Sequence, residues 1–156
     1  MRRTTAEALR PRIPARLDAS HCRSLSYPYG ARMKSHELTV TVQPRYLAEQ
    51  SDPAQRQYVF AYTIRITNTG SEPAQLISRH WIITDGNQQQ QEVRGLGVVG
   101  QQPLLQPGES FEYTSGCPLS TPVGTMRGTY HCVGENGMPF EVEIPEFVLA
   151  MPRTLH

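Results

Sequence analysis

Apolar residues recur at every second position through most of the chain after Met33. Leu38, Val40 and Val42 alternate with Thr39, Thr41 and Gln43. Tyr58, Phe60, Tyr62, Ile64 and Ile66 are spaced the same way, with Thr63, Arg65 and Thr67 between the later ones, and Phe140, Val142 and Ile144 alternate with Glu141 and Glu143. Successive side chains of a strand point to opposite faces, so a period of two predicts strands with one face in a core and the other in water. No longer stretch carries the helical period of about 3.6 residues. The nearest candidate, Leu47–Tyr58, is mostly polar and contains Pro53.

Turn-forming residues fall between these runs. Asn68-Thr69-Gly70-Ser71-Glu72-Pro73, Asp85-Gly86-Asn87, Pro107-Gly108, Gly116-Cys117-Pro118 and Glu135-Asn136-Gly137 each mark a turn. Strands are expected over residues 37–46, 57–68, 74–85, 90–96, 109–116, 125–134 and 139–150. About seven short strands with a turn signal between neighbours predict an all-β, immunoglobulin- or fibronectin type III-like antiparallel β-sandwich. Thr67–Ala74 resembles a hairpin of immunoglobulin-like bacterial domains. Leu105-Gln106-Pro107-Gly108-Glu109-Ser110-Phe111 resembles the strand entry of fibronectin type III domains, with Phe111 where that class usually carries a tyrosine. Phe111 has no hydroxyl to make the corner hydrogen bond.

Charge is split along the chain. Residues 1–34 hold Arg2, Arg3, Arg10, Arg12, Arg16, Arg23, Arg32 and Lys34 against Glu7 and Asp18, whereas the remainder is net acidic although the whole chain stands at +1. The acidic remainder argues against nucleic-acid binding, which draws on clustered cations. The segment 1–35 is rich in Arg, Ser and Pro and shows no apolar period, so it reads as a disordered basic extension. It would be a tail for acidic partners, an organelle transit peptide, or sequence upstream of a true start at Met33. The last reading is favoured, because a chain starting at Met33 would hold the whole patterned domain, residues 36–152. Cys22, Cys117 and Cys132 form no C-x-x-C pair, which fits a reducing cytoplasmic setting better than a disulfide framework. No apolar run is long enough to span a membrane as a helix, and the N-terminus lacks the apolar core of a secretory signal.

One motif stands out chemically. Gly95-Leu96-Gly97-Val98-Val99-Gly100 has the G-x-G-x-x-G spacing of dinucleotide-binding loops. In those folds a helix follows the glycines and meets the pyrophosphate with its N-terminus. Here Gln101-Gln102-Pro103-Leu104-Leu105-Gln106-Pro107-Gly108 follows, and its two prolines and glycine exclude that helix. The loop therefore belongs to another architecture. Two readings compete: a nest of backbone N–H groups for an anion, assisted by Arg94 and Arg79, or a bulge and tight crossover between sheets.

Several longer phrases carry a family resemblance. They are Phe60–Ile64, Gln75–Gly86, Glu92–Pro103, Tyr113–Gly116, Thr121–Met126 and Ile144–Phe147. Together they resemble the ApaG family from about Glu37 to Pro152. Cys117 and Cys132 lie outside that pattern. The resemblance implies a fibronectin-like sandwich, a genetic link to cobalt tolerance and magnesium efflux, and a partner-binding role like that of the same domain in eukaryotic F-box and polymerase-interacting proteins. It implies no enzymatic activity.

The candidate site combines Arg79, His80, Arg94, Gly95, Gly97 and Gly100. If the single tryptophan, Trp81, faces the core, Arg79 shares its face and lies at the sheet end with its guanidinium outside, while His80 is exposed on the other face. His36, His80, His131 and His156 show no ligand spacing for a metal, and no nucleophile-base grouping for catalysis is recognisable. Cys117 is expected in a turn, with nothing obvious to lower its pKa. No cofactor is expected. The chain reads as a non-enzymatic binding or regulatory module for a protein partner. The alternative is a sensor of a pyrophosphate-containing nucleotide, such as a dinucleoside polyphosphate, through the loop 95–100, with hydrolysis of that ligand a weaker option. Exposed sheet edges also leave room for a homodimer.

Overall fold

The computed structural model describes residues 35–153. Eight strands follow one another: β1 (Leu38–Tyr46), β2 (Tyr58–Asn68), β3 (Ala74–Asp85), β4 (Gln90–Leu96), β5 (Leu104–Leu105), β6 (Ser110–Leu119), β7 (Val123–Gly134) and β8 (Pro139–Ala150). Two short 3-10 turns, Ala48–Gln50 and Pro53–Gln55, link β1 to β2. All pairings between strands are antiparallel. One sheet has the order β1-β2-β6; the other runs β4-β3-β7-β8, with β5 pairing the start of β3. This is the expected all-β sandwich. No helix among the described residues is long and apolar enough to cross a membrane. The expectations for residues 1–34, including the start at Met33, fall outside the described residues.

The alternation works as expected in the strands that build the core. Phe60, Tyr62, Ile64 and Ile66 of β2 are buried against Trp81, Met126, Tyr130, Ile144 and Leu149 of the facing sheet. Trp81 meets Tyr62, Phe147 and Tyr130 edge-on at ring-centroid distances of 5.4, 6.0 and 6.4 Å, an arrangement that aromatic quadrupoles favour. Tyr113 of β6 and Tyr130 of β7 share a hydrogen bond between hydroxyls, 2.5 Å, across the interface of the two sheets. Burial pushes both phenols well above their ordinary pKa, so the pair is neutral and bound to each other rather than to water.

The corner between β2 and β3 is tied by Asn68, whose surface is 1% exposed. Its Nδ2 donates to the Glu72 and Leu105 carbonyls at 2.9 Å each, and its Oδ1 accepts the Gly70 N–H at 2.9 Å. The Gly108 N–H returns to the Asn68 carbonyl at 2.8 Å. Asn68 thus anchors the corner beside the strand entry where Phe111 supplies no hydroxyl.

Two details differ from the sequence expectation. Leu104–Leu105 forms an additional short strand, β5. The Gly116-Cys117-Pro118 turn is instead part of β6, where these residues pair with Ala61, Phe60 and Val59. β6 is the edge of its sheet, so Pro118 without an N–H interrupts no further ladder. Cys117 accordingly leaves the turn for the interior. It is 3% exposed, and burial pushes its thiol up to about 11. A thiol with that pKa is inert at neutral pH. Cys132 is buried too, with its thiol pushed up to about 12.

Candidate functional site

The β3–β4 hairpin carries most of the candidate residues, and its register is set by the turn after Asp85. The Asp85 carboxylate accepts the N–H groups of Asn87 and Gln89 at 2.8 and 3.0 Å, an Asx-type turn that fixes where β4 starts. From there Ile82 faces Glu92, Trp81 faces Val93, His80 faces Arg94 and Arg79 faces Gly95. Alternation then sends His80, Ile82, Glu92 and Arg94 to the outer face, and Arg79, Trp81, Gln91, Val93 and Gly95 towards the opposing sheet.

On the outer face His80 Nε2 lies 3.0 Å from Glu92 Oε2, and Arg94 Nη2 lies 3.4 Å from the same oxygen. The His80 side chain is 19% exposed, so it is a partnered rather than an open residue; the Arg94 side chain is 73% exposed. Hydrogen bonds from His80 and then Arg94 hold the Glu92 carboxyl below its ordinary pKa. Glu92 was not among the sequence candidates. The hairpin register, read from the Asp85-Gly86 turn, is the signal that would have found it.

Arg79 is half-buried. Its Nη1 donates to the carbonyls of Leu96 at 3.1 Å and Gly97 at 2.7 Å. The guanidinium is thus folded back over β4 instead of extending outside the sheet end. Gly95 makes room for it: a Cβ at 95 would stand 2.8 Å from Arg79 Nη1. The sheet therefore divides the expected cluster. His80 and Arg94 share one face, and Arg79 lies on the other.

The glycine loop closes on itself. Gly97 takes φ +64 and a Cβ there would collide with the Gln101 carbonyl. Its N–H bonds the Ile77 carbonyl at 2.8 Å, and Val98 and Gln101 exchange N–H to carbonyl bonds at 2.8 and 2.9 Å. Val99 (φ 45) and Gly100 (φ 79) form the tip, a two-residue reversal with both central residues left-handed. A β-branched residue rarely takes that conformation. Val98 is fully buried, whereas Val99 is 55% and Leu96 75% exposed. No α-helix follows; residues 101–110 contain β5 and a turn.

Cavities adjoin the hairpin on both of its faces. A hollow of about 330 Å³ lies over Gly128 on the outer face, beside His80, Arg127, Thr129, Glu141 and Glu143. An inter-sheet cleft of about 220 Å³ opens between β4 and β6, reaching Trp81. Among the described residues no three His, Cys, Asp or Glu side chains converge as a metal site would require.

The ApaG domain model matches residues 48–134, inside the patterned span. The ApaG protein of Bordetella pertussis is 80% identical over 124 residues, covering 80% of this chain and 95% of that protein. The ApaG protein of Ralstonia nicotianae is 67% identical over 124 residues, covering 80% of this chain and the full relative. A solved crystal structure of the ApaA protein of Bordetella pertussis superimposes with a TM-score of 0.77 at 79% identity, over 79% of this chain and all of that one. Sequence and superposition agree, and the chain belongs to the ApaG family.

Proposed function

We propose that the domain is a non-catalytic binding module of the cytoplasm that engages a protein partner through the free edge of β4 and the adjoining loop. One observation carries this reading. Leu96 and Val99, 75% and 55% exposed, stand beside Arg94 at the end of a sheet edge. An unpaired strand offers its backbone to an added strand, and apolar side chains at its end give that contact an anchor. Leu104, 39% exposed on β5, extends the apolar edge. Free, buried Cys117 and Cys132 fit a reducing compartment. Any influence on metal efflux, which the family resemblance brings with it, would run through such a partner.

The nucleotide-sensor alternative has less support. A phosphate nest needs consecutive N–H groups aimed outward, yet those of Gly97, Val98 and Gln101 bond carbonyls within the domain. Each glycine of the motif also has a local role: clearance for Arg79 at 95, a left-handed backbone at 97 and 100.

Capture from the native cytoplasm with the full chain as bait tests the proposal. The expected result is a partner that is retained by the wild type and lost with Leu96→Asp or Arg94→Glu, both at exposed positions. Retention by both variants overturns the β4 edge as the site. A rise in Tm with a dinucleoside polyphosphate that disappears in Arg94→Ala would favour the nucleotide reading instead.

A further inference from the structure

The inter-sheet cleft combines features that a folding role alone leaves unexplained. One side of the sandwich is closed where β1 packs against β8. The other side, between the edges β4 and β6, stays open. Its lining is mixed: Trp81, Ile83, Val93, Met126 and the ring of Tyr62 supply an apolar part, and Arg79, Gln91 and Ser115 a polar part. Water against the apolar part has few partners, and an apolar ligand body would displace it there at a gain.

At the same cleft stands Arg79. It is half-buried, and no carboxylate among the described residues lies within ion-pair distance of it. One arm of its fork is fixed by the Leu96 and Gly97 carbonyls, and these neutral acceptors leave the positive charge uncompensated. The absent side chain at Gly95 keeps the guanidinium in place over β4. A planar fork held in this way matches a carboxylate with two parallel N–H bonds. Ser115, the cross-strand partner of Tyr62, lines the same cleft and adds a hydroxyl to it.

We infer that this cleft binds a compact apolar monocarboxylate, with the carboxylate on the free arm of Arg79 and the apolar body against Trp81, Val93 and Met126. The volume of about 220 Å³ suits a ligand of one ring or a short branched chain. A nucleotide is too large for this volume. The site is on the opposite face of the hairpin from Arg94, so it stands or falls independently of the partner surface on the β4 edge.

The sole tryptophan lines the cleft and reports directly. Titration of the full chain with 3-phenylpropanoate should change the Trp81 emission saturably, with half-saturation below about 1 mM, within reach for a ligand of this size. The neutral isostere 3-phenylpropan-1-ol should bind about tenfold or more weakly, since it loses the charge-assisted bonds. Arg79→Gln should weaken the acid to the level of the alcohol, and Arg79→Lys should fall between, keeping charge and losing the fork. No saturable change up to about 10 mM acid overturns the site. Equal binding of acid and alcohol by the wild-type chain, a comparison that needs no variant to fold, overturns Arg79 as the anchor.

Discussion

Arg79 and His80 are neighbours in sequence, yet they work in different media. His80 joins Glu92 and Arg94 on a surface where water screens every charge. Arg79 turns inward with Trp81 to an interior closed by a hydroxyl pair between Tyr113 and Tyr130. The outer face holds an ion network that costs little to rearrange. The inner face holds the interactions whose loss leaves a void or an unpaired polar atom. Stability should therefore depend on the inner face, while the outer face is free to serve recognition.

Variants that cross this boundary should rank accordingly. Trp81→Ala removes the ring that three aromatic neighbours meet edge-on and should cost about 3–5 kcal/mol, read as a fall in the urea midpoint with an unchanged m-value. A loss under about 1 kcal/mol would mean that the inner face is loosely packed. Tyr130→Phe keeps the ring and deletes one hydroxyl. It leaves the Tyr113 hydroxyl buried without its partner and should cost about 1–3 kcal/mol. An unchanged midpoint would indicate that water reaches Tyr113.

The smallest effect is expected outside. Glu92→Gln should lower Tm slightly at neutral pH and not at all in acid. The sign follows from the depressed carboxyl pKa of Glu92 in the folded state. A carboxyl with a lowered folded pKa contributes stability above its unfolded value, and that contribution disappears as pH falls through the folded value. Wild type and variant should converge only once the pH has fallen through the lowered folded-state value of Glu92. A gap that persists there would mean that Glu92 acts through packing and not through charge.

How much of this was legible beforehand follows from the same alternation. Period two placed the seven main strands and separated Arg79 from His80, while the sandwich reading put Trp81 in the core. β5 escaped because two residues carry no period, and the tail of β6 escaped because Gly116 and Pro118 on an edge strand look like turn residues. The site was less visible because its partnerships cross strands. Glu92 meets His80 only through the hairpin register, and Arg79 folds back onto carbonyls of Leu96 and Gly97, which no local pattern announces. The corner tie by Asn68 was likewise hidden, since its three bonds reach Glu72, Gly70 and Leu105. The glycine motif misled for a related reason: its spacing matches a phosphate loop, whereas its left-handed backbone at 97 and 100 serves a reversal.

One rim of the five-stranded sheet, opposite the edge strand β8, is divided between β4, seven residues long, and β5, two residues long, with the closed loop of Val98 and Gln101 between them. A template for runaway stacking needs a long, flat row of unpaired backbone. This broken rim offers one short berth, enough for a single guest strand and too short to stack many.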